Sequence, residues 1–198
     1  IMKLYDVNHP LECGVCDKSG ECDLQNKTLE FAVEKQTFST REQHRPVEHW
    51  GLINYDPALC IMCEKCTHVC NEVIGDDAID VYFGGYSSVI IPKNADKLDC
   101  TFCGECIAVC PVGALVSSNF QYKANAWELS RVPSTCAHCS AGCSLEYETR
   151  HDGIDADDVI HRVKNNFEYT SLCGAGRFGF DFDNQAPKSE AAFVNAVE

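Results

Sequence analysis

Positive charge is scarce in this sequence. It has 16 lysine and arginine residues against 30 aspartate and glutamate residues, so its formal net charge is −14. Proteins that bind nucleic acids usually carry a basic patch or stripe, often with aromatic side chains between the charges, and no such stripe occurs here. The composition therefore argues against a nucleic acid as a partner.

Long apolar segments are missing as well. No run of 18 or more apolar residues occurs, so we expect that the chain does not span a membrane itself and that a partner holds it if it works at one. The first residues do not resemble a charged, apolar and cleavable signal peptide, which disfavours an oxidising compartment and a framework of disulfides. The sequence begins at Ile1 and stops after a polar stretch, and we expect it to be a piece of a longer polypeptide.

The usual arrangements of catalytic residues are also absent. We find no nucleophile with a base partner, no paired carboxylates that would face a pocket, and no phosphate-binding loop. The sequence therefore predicts no substrate site of its own.

Cysteine, in contrast, is abundant, with 15 of 198 residues. Eight of these cysteines form an internal repeat, because each cysteine of one run has a copy forty positions later. The runs read Cys60-x2-Cys63-x2-Cys66-x3-Cys70 and Cys100-x2-Cys103-x2-Cys106-x3-Cys110-Pro111. Two residues between ligands let one tight loop present three thiolates to the irons of a single cubane. The fourth cysteine points away, and in two-cluster ferredoxins it binds the other cluster.

The spacing therefore predicts two crossed sets of ligands for 4Fe–4S clusters. The sets are Cys60, Cys63, Cys66 with Cys110, and Cys100, Cys103, Cys106 with Cys70. Structural zinc is the main alternative, but zinc takes its four ligands as two separated pairs, whereas here three thiolates lie within seven residues, twice over.

The seven remaining cysteines form two further groups. The first group is His9, Cys13, Cys16 and Cys22, and the second is Cys136, Cys139, Cys143 and Cys173. Fifteen cysteines and one histidine make sixteen candidate ligands, which is four complete sets of four without a remainder. Thiols used for disulfides, catalysis or packing would normally leave a remainder, so this closure favours four clusters.

On sequence alone, His9 can be a solvated histidine or a cluster ligand. A histidine before proline is more often a solvated surface residue. Its position four residues before Cys13, where it completes a three-cysteine set, favours ligation. A neutral imidazole in place of a thiolate removes negative charge from the cluster, which should raise its reduction potential.

Hydrophobic patterns predict a few secondary-structure elements. Residues 22–38 have a loosely helical spacing, and residues 2–7 alternate between apolar and polar. Residues 78–83 and 86–91 predict a hairpin around Gly84 and Gly85, which would separate the two cysteine loops. Further strands are expected at 112–116, 145–149 and 159–163, and Arg131 to Cys136 should lead into the last loop.

The segment from Gly174 to Gly179 fits the dinucleotide pattern G-x-G-x-x-G. That pattern is weak without a βαβ unit around it, and here it follows a candidate cluster ligand directly. We expect these glycines to let backbone N–H groups approach the cluster sulfurs instead.

Together these motifs resemble one family over nearly the whole chain. The segment from His9 to Gln25, HPLECGVCDKSGECDLQ, is similar to the histidine-ligated cluster segment of the large iron–sulfur subunit of respiratory complex I, the NADH:quinone oxidoreductase. The same segment occurs, less closely, in NAD-linked formate dehydrogenases and iron-only hydrogenases. The group from Cys136 to Cys173, followed by GAGRFG, resembles the cubane motif that opens the molybdopterin oxidoreductase domain.

The resemblance implies an α+β fold of small iron–sulfur domains with a two-cluster ferredoxin-like unit. It implies a histidine- and cysteine-ligated segment at 1–40, the ferredoxin-like domain at 41–120, and the truncated start of a molybdopterin-oxidoreductase-type domain at 121–198. Four 4Fe–4S clusters would relay single electrons, with no molybdopterin within this sequence. The implied partners are a flavin-bearing, NADH-oxidising subunit and a quinone-side iron–sulfur subunit, on the cytoplasmic side of the inner membrane, with peripheral attachment.

Two departures from the family pattern point in opposite directions. Many complex I subunits keep only one of the two ferredoxin-type clusters. Here both four-cysteine runs, which together we call the cysteine ladder, are complete, as in the formate dehydrogenases and some bacterial complex I branches. Molybdenum enzymes usually place a lysine two residues after the last cubane cysteine, and that position here is Ala175. We give Ala175 more weight because it is closer to the chemistry. The alternative to a complex I subunit is the iron–sulfur region of a molybdenum or tungsten formate dehydrogenase. An iron-only hydrogenase fits the last cysteine group less well. A zinc-stapled interaction module is a third class, and it would be colourless.

Overall fold

The described part of the chain forms short helices and three small antiparallel sheets in the computed structural model. The structure describes residues 1–10, 12–35, 37–38, 45–94, 97–153, 158–165 and 171–181. The helices are α1 (Met2–Asp6), α2 (Asp23–Glu30), α3 (Lys65–His68), α4 (Glu105–Val109) and α5 (Gly174–Phe178). The strands are β1 (Glu48–His49), β2 (Ile53–Tyr55), β3 (Ile79–Tyr82), β4 (Val89–Pro92), β5 (Leu115–Ser117), β6 (Ser130–Thr135), β7 (Ser144–His151) and β8 (Asp158–Asn165).

The first sheet has the order β1-β2-β5, so its last strand returns only after both cysteine runs have passed. Strand β2 lies in the middle, and all three of its residues are buried. Tyr55 pairs with Leu115, and Ile53 pairs with Ser117. This sheet therefore ties the beginning of the first cysteine loop to the end of the second.

Strands β3 and β4 form the hairpin that the sequence predicts, and this prediction is confirmed. Ile79 pairs with Pro92 and Tyr82 pairs with Val89. Gly85 has a φ of +60°, a conformation that glycine adopts without steric cost, and it lies in the connection between the strands. The predicted α+β fold class is also confirmed.

The third sheet is a meander of β6, β7 and β8. The predicted strands at 145–149 and 159–163 lie within β7 and β8. Strand β6 is not predicted as a strand, because Pro133 lies inside it and five of its six residues are exposed, so it shows no alternation. A proline is tolerated there because β6 is an edge strand.

Three other predicted elements differ from the structure. Residues 2–6 form a helix, although their apolar and polar residues alternate. The helix expected over 22–38 ends at Glu30, and Ala32 follows with a φ of +48°, which a helix does not allow. The strand expected at 112–116 begins three residues later, at Leu115.

Two apolar clusters hold these elements together. The larger one contains Tyr55, Ile53 and Val112 and also the buried cysteines Cys22 and Cys66. The smaller one gathers side chains of the third sheet and of the segment around α5: Cys136, Leu145, Val163, Leu172 and Phe180. Candidate ligands thus belong to both cores, and the unit boundaries near residues 40 and 120 stay predictions.

None of the helices in the described ranges is long and apolar enough to cross a membrane.

Tyr55 joins the first sheet to the hairpin. Its side chain is 0% exposed, and its hydroxyl accepts the backbone N–H of Ile90 at 3.1 Å. Tyr55→Phe would leave that buried N–H without a partner, which costs about 1–3 kcal/mol. We therefore predict a lower thermal unfolding midpoint, measured anaerobically at one scan rate, whereas Tyr82→Phe at an exposed hairpin position should leave it unchanged. Equal midpoints for both variants would contradict this role of Tyr55.

Candidate metal centres

The two cysteine runs fold into loops with the same backbone conformation. Met62 and Phe102, at equivalent positions of the repeat, both have a φ of +52°. Glu64 and Gly104, two residues further on, have φ of +60° and +72°. A left-handed conformation at a non-glycine residue costs energy, and such strain persists where a site requires it. The repeat in the sequence is therefore also a repeat in the backbone.

Each loop turns a backbone N–H towards its first cysteine. Met62 donates to Cys60 Sγ at 3.4 Å, and Phe102 donates to Cys100 Sγ at 3.3 Å. Burial raises the pKa of Cys60, and hydrogen bonds from Met62 and from the Tyr55 hydroxyl partly oppose that shift. Donors of this kind stabilise a thiolate, so the loops are shaped to hold negative sulfur atoms.

The thiols of the first run lie close to the last cysteine of the second run. Burial raises the pKa of Cys66 to about 12, and the nearby thiols of Cys110, Cys60 and Cys63 add to the shift. Burial also raises the pKa of Cys110, and Cys60 is again among the groups that add to it. The structure thus brings together the four side chains of the first predicted set.

The second predicted set is brought together in the same way. Burial raises the pKa of Cys100 to about 11, with Cys103 and Cys70 among the groups that add to the shift. The pKa of Cys106 is raised well above its ordinary value by burial, and Cys66, Cys103, Cys70 and Cys100 raise it further. The last cysteine of each run therefore lies with the other run, and the two sets adjoin where Cys66 faces Cys106.

No group of three or more His, Cys, Asp or Glu side chains in the described part of the chain is arranged to hold a metal ion. A structural zinc ion would need four ligand atoms at about 2.0–2.3 Å from one centre. The thiols of each ladder set lie close enough that their thiolate forms would repel one another.

The first segment brings its three cysteines together beside the ferredoxin-like unit. Burial raises the pKa of Cys16, and the thiols of Cys22 and Cys13 add to the shift. The backbone N–H of Gln25 donates to Cys22 Sγ at 3.4 Å. Gly113 lies so close to Cys16 that a Cβ at this position would overlap Sγ. The thiol of Cys16 is thus fixed by close packing from another segment.

His9 has a buried ring nitrogen that no hydrogen bond satisfies. Its Nδ1 has no partner among the described residues, and burial lowers the pKa of the ring, while Asp6 and a hydrogen bond to the backbone of Leu59 oppose the shift. A neutral imidazole with one free nitrogen and its other N–H held by a backbone carbonyl is the form that binds metals. The state of His9 therefore fits a ligand, as the sequence predicts.

The last group is more open than the others. The N–H of Cys136 donates to the carbonyl of Cys143 at 2.8 Å, which closes the loop between them. Cys136 is buried, whereas Cys139 and Cys173 are exposed. The structure therefore forms the loop of Cys136, Cys139 and Cys143, and Cys173 immediately precedes α5.

The glycines after Cys173 serve close packing. A Cβ on Gly176 would lie 3.4 Å from Cys136 Sγ, so the backbone of α5 passes directly beside that sulfur. A Cβ on Gly174 would lie 3.0 Å from the carbonyl oxygens of Thr101 and Phe102 in the second cysteine loop. The described sheets are antiparallel, so this G-x-G-x-x-G segment has no βαβ unit around it and a dinucleotide site is not supported.

Two glutamates beside candidate ligands form ion pairs that the sequence does not predict. Glu105, which precedes Cys106, is 0% exposed and pairs with Arg177 at 2.9 Å. Glu21, which precedes Cys22, pairs with Arg162 at 2.8 Å and with Lys164. Although burial opposes its ionisation, these cations hold the pKa of Glu21 below its ordinary value. The sequence does show a charged residue next to a candidate ligand at both places. Charge alone, however, does not indicate that the side chain is buried or paired.

Three family models match successive parts of the chain. The iron–sulfur binding region of NADH-ubiquinone oxidoreductase-G matches residues 1–37. The ferredoxin-like domain of NADH-quinone oxidoreductase subunit 3 matches residues 51–116. The molybdopterin oxidoreductase Fe4S4 domain matches residues 129–185. The three ranges follow the order of the ligand groups along the chain.

Several curated proteins are similar over most of the chain. The alpha subunit of the NADPH-Fe(3+) oxidoreductase of Geobacter sulfurreducens is 39% identical over 188 residues, which cover 93% of this chain and 22% of the relative. The G-type subunit of the NADH-quinone oxidoreductase of Streptomyces coelicolor is 32% identical, covering 100% of this chain and 24% of the relative. NADH-quinone oxidoreductase subunit 3 of Thermus thermophilus is 30% identical, and the match covers 90% of this chain and 24% of the relative. The chain thus spans about a quarter or less of these relatives' length.

One solved structure shares the fold. It is a crystal structure of an NAD+-reducing NiFe hydrogenase in the H2-reduced state, with a TM-score of 0.56 and 22% identity. The match covers 62% of this chain and 54% of the hydrogenase chain.

His9 gives a direct test of the first ligand group. We predict that His9→Cys keeps a cluster but lowers its reduction potential, because a thiolate adds negative charge that the neutral imidazole lacks. Potentiometric titration followed by low-temperature EPR measures the shift. His151→Cys, at an exposed position on β7, serves as the control and should leave all potentials in place. An unchanged potential in His9→Cys would argue that His9 does not bind iron.

Proposed function

We propose that this chain, which belongs to the iron–sulfur subunit family of NADH-quinone oxidoreductase, carries single electrons through four 4Fe–4S clusters. The four ligand sets we propose each contain four side chains. They are His9, Cys13, Cys16, Cys22; Cys60, Cys63, Cys66, Cys110; Cys100, Cys103, Cys106, Cys70; and Cys136, Cys139, Cys143, Cys173.

The observation that carries this proposal is the crossed grouping of the ladder thiols. Cys110 adds to the pKa shift of Cys66, and Cys70 adds to that of Cys106, where Cys66 of the neighbouring set has a larger effect. In this grouping the two loops exchange their last cysteines. A two-cluster ferredoxin requires it.

Each cluster, when bound, supplies a one-electron donor and acceptor. The chain's own residues bind, orient and shield that core. Apolar burial excludes water and keeps the free thiols protonated, so binding of iron must displace their protons. Backbone N–H groups at Met62, Phe102 and Gln25 donate to ligand sulfurs, and this stabilises the negative charge that the reduced cluster gains.

The larger assembly is also part of the proposal. The relatives are named for NADH or NADPH, so we propose that electrons arrive from a flavin-bearing subunit that oxidises a reduced nicotinamide nucleotide. They would leave towards a quinone through another iron–sulfur subunit. We propose a peripheral position on the cytoplasmic side of the inner membrane, with attachment through these partners.

A formate dehydrogenase remains the second candidate, and the complete ladder of eight cysteines favours it. Ala175 argues against a formate dehydrogenase, because molybdenum enzymes usually have a lysine at this position. Ala175 is an exposed residue of α5. Metal analysis of the full-length protein separates the two candidates. Stoichiometric molybdenum or tungsten would overturn the assignment to NADH-quinone oxidoreductase.

Iron and acid-labile sulfide content tests the number of clusters. We predict that the anaerobically purified chain is brown and holds about 16 irons and about 16 sulfides, four of each per cubane. Colorimetric iron and sulfide assays against protein concentration measure both. A colourless preparation with zinc and without iron would contradict the proposal.

The crossed pairing has its own test in three single variants. Cys70→Ala should remove the same EPR signal as Cys103→Ala, because both side chains would bind one cluster. Cys63→Ala, the matched control from the first loop, should remove a different signal. If Cys70→Ala and Cys63→Ala abolished the same signal, each run would hold its own cluster and the crossed sets would be wrong.

A further inference from the structure

Two of the four candidate cluster loops are joined by one buried ion pair. Glu105 lies between Cys103 and Cys106 in the second ladder loop, and its side chain is 0% exposed. Arg177 lies four residues after Cys173, on α5, and is 5% exposed. Arg177 Nη2 donates to Glu105 Oε1 at 2.9 Å.

Glu105 also holds the backbone that leads to the last ligand. Its carboxylate accepts the N–H of Leu172, the residue before Cys173, at 2.8 Å. It accepts the side-chain amide of Asn165, at the end of β8, at 3.1 Å. A carboxylate within one ligand loop therefore fixes the position of a ligand in another.

Arg177 makes the same connection from the other side. Its backbone N–H donates to the carbonyl of Cys173 at 3.0 Å, and its Nε donates to the carbonyl of Cys103 at 3.3 Å. One residue thus links the main-chain atoms of two cysteines that belong to different proposed clusters. Its remaining donors bind the carbonyl of Val163 and the side chain of Asn165, so the guanidinium has little freedom to move.

The two loops touch without room for another atom. A Cβ on Gly104 would lie 2.9 Å from Arg177 Cγ. A Cβ on Gly174 would lie 3.0 Å from the carbonyl oxygens of Thr101 and Phe102. The second cysteine loop and the segment after Cys173 are therefore in direct contact.

The repeat shows that the loop itself does not require Glu105. The equivalent position in the first ladder loop is Lys65, which is exposed. Both loops have the same left-handed turns, yet only the second carries a buried acid. A buried charge is costly without a partner, so its presence at this one loop indicates a role in the contact with α5.

We propose that the pair of Glu105 and Arg177 positions the cluster of Cys100, Cys103, Cys106 and Cys70 against the cluster of Cys136, Cys139, Cys143 and Cys173, so that electrons pass between these two. This inference rests on the proposed function. It adds that the last cluster is part of the electron path and that the pair sets the rate of this step without binding iron itself.

The test is the magnetic interaction between the two clusters in the fully reduced chain, measured by low-temperature EPR alongside iron content. We expect the unaltered chain to show the splitting or broadening of two interacting clusters. Glu105→Gln keeps the size of the side chain but removes its charge, and it should weaken the interaction and slow the reduction of the last cluster in freeze-quench experiments. Lys65→Gln is the matched control and should change neither.

A second variant covers the case in which Glu105→Gln fails to assemble. Glu105→Asp keeps the charge but shortens the side chain, and it should keep full iron content with a partly weakened interaction. Either variant with full iron content and an unchanged interaction would overturn the proposal. An unaltered chain that holds its clusters but shows no interaction between these two would overturn it as well, whereas a chain without iron would overturn the proposed function.

Discussion

The cost of placing thiolates side by side in apolar surroundings is the constraint on which this structure depends. Cys66 and Cys106 lie in apolar surroundings with other thiols as neighbours, and burial raises the pKa of both. Such groups cannot be thiolates on their own, because a buried negative charge next to others is unfavourable. Iron removes this conflict, since it replaces the protons and offsets the charge of the ligands. The strained loops at Met62 and Phe102 are explained by the same requirement, because each turns a backbone N–H towards the sulfur of the first cysteine of its loop.

A second constraint joins the units to one another. The glutamates next to Cys22 and Cys106 are both held by cations from the part of the chain after residue 160, Glu21 by Arg162 and Lys164 and Glu105 by Arg177. Ion pairs of this kind add little to the stability of the fold once the cost of desolvation is counted. Removing one partner is nevertheless strongly destabilising, because it leaves the other charge buried and unpaired. They fix which loop faces which, and that is what a chain of electron carriers needs. We infer that the relative position of the proposed clusters depends on side chains that are not among their ligands.

The sequence predicts the iron–sulfur family of this chain better than its detailed fold. The cysteine spacing is a local feature with few physical solutions, and the α+β class and the hairpin follow from turn glycines and alternation. The sequence does not predict strand β6, because an edge strand with Pro133 needs no apolar pattern. It does not predict α1 either, because five residues are too few to show a helical period. The roles of Glu105 and Arg177 depend on contacts between distant segments. In sequence Glu105 and Lys65 are both charged residues at the same place in a repeat, yet only one of them is buried.

The central claim is that sixteen side chains form four iron–sulfur sites, with the last cysteine of each ladder run exchanged between the two loops. Anomalous diffraction at the iron absorption edge, from crystals of the anaerobically purified chain, tests this most directly. We predict four separate peaks of iron density, with Cys110 bound at the centre of Cys60, Cys63 and Cys66, and Cys70 bound at the centre of Cys100, Cys103 and Cys106. Fewer than four peaks, or a last cysteine bound within its own run, would contradict the claim.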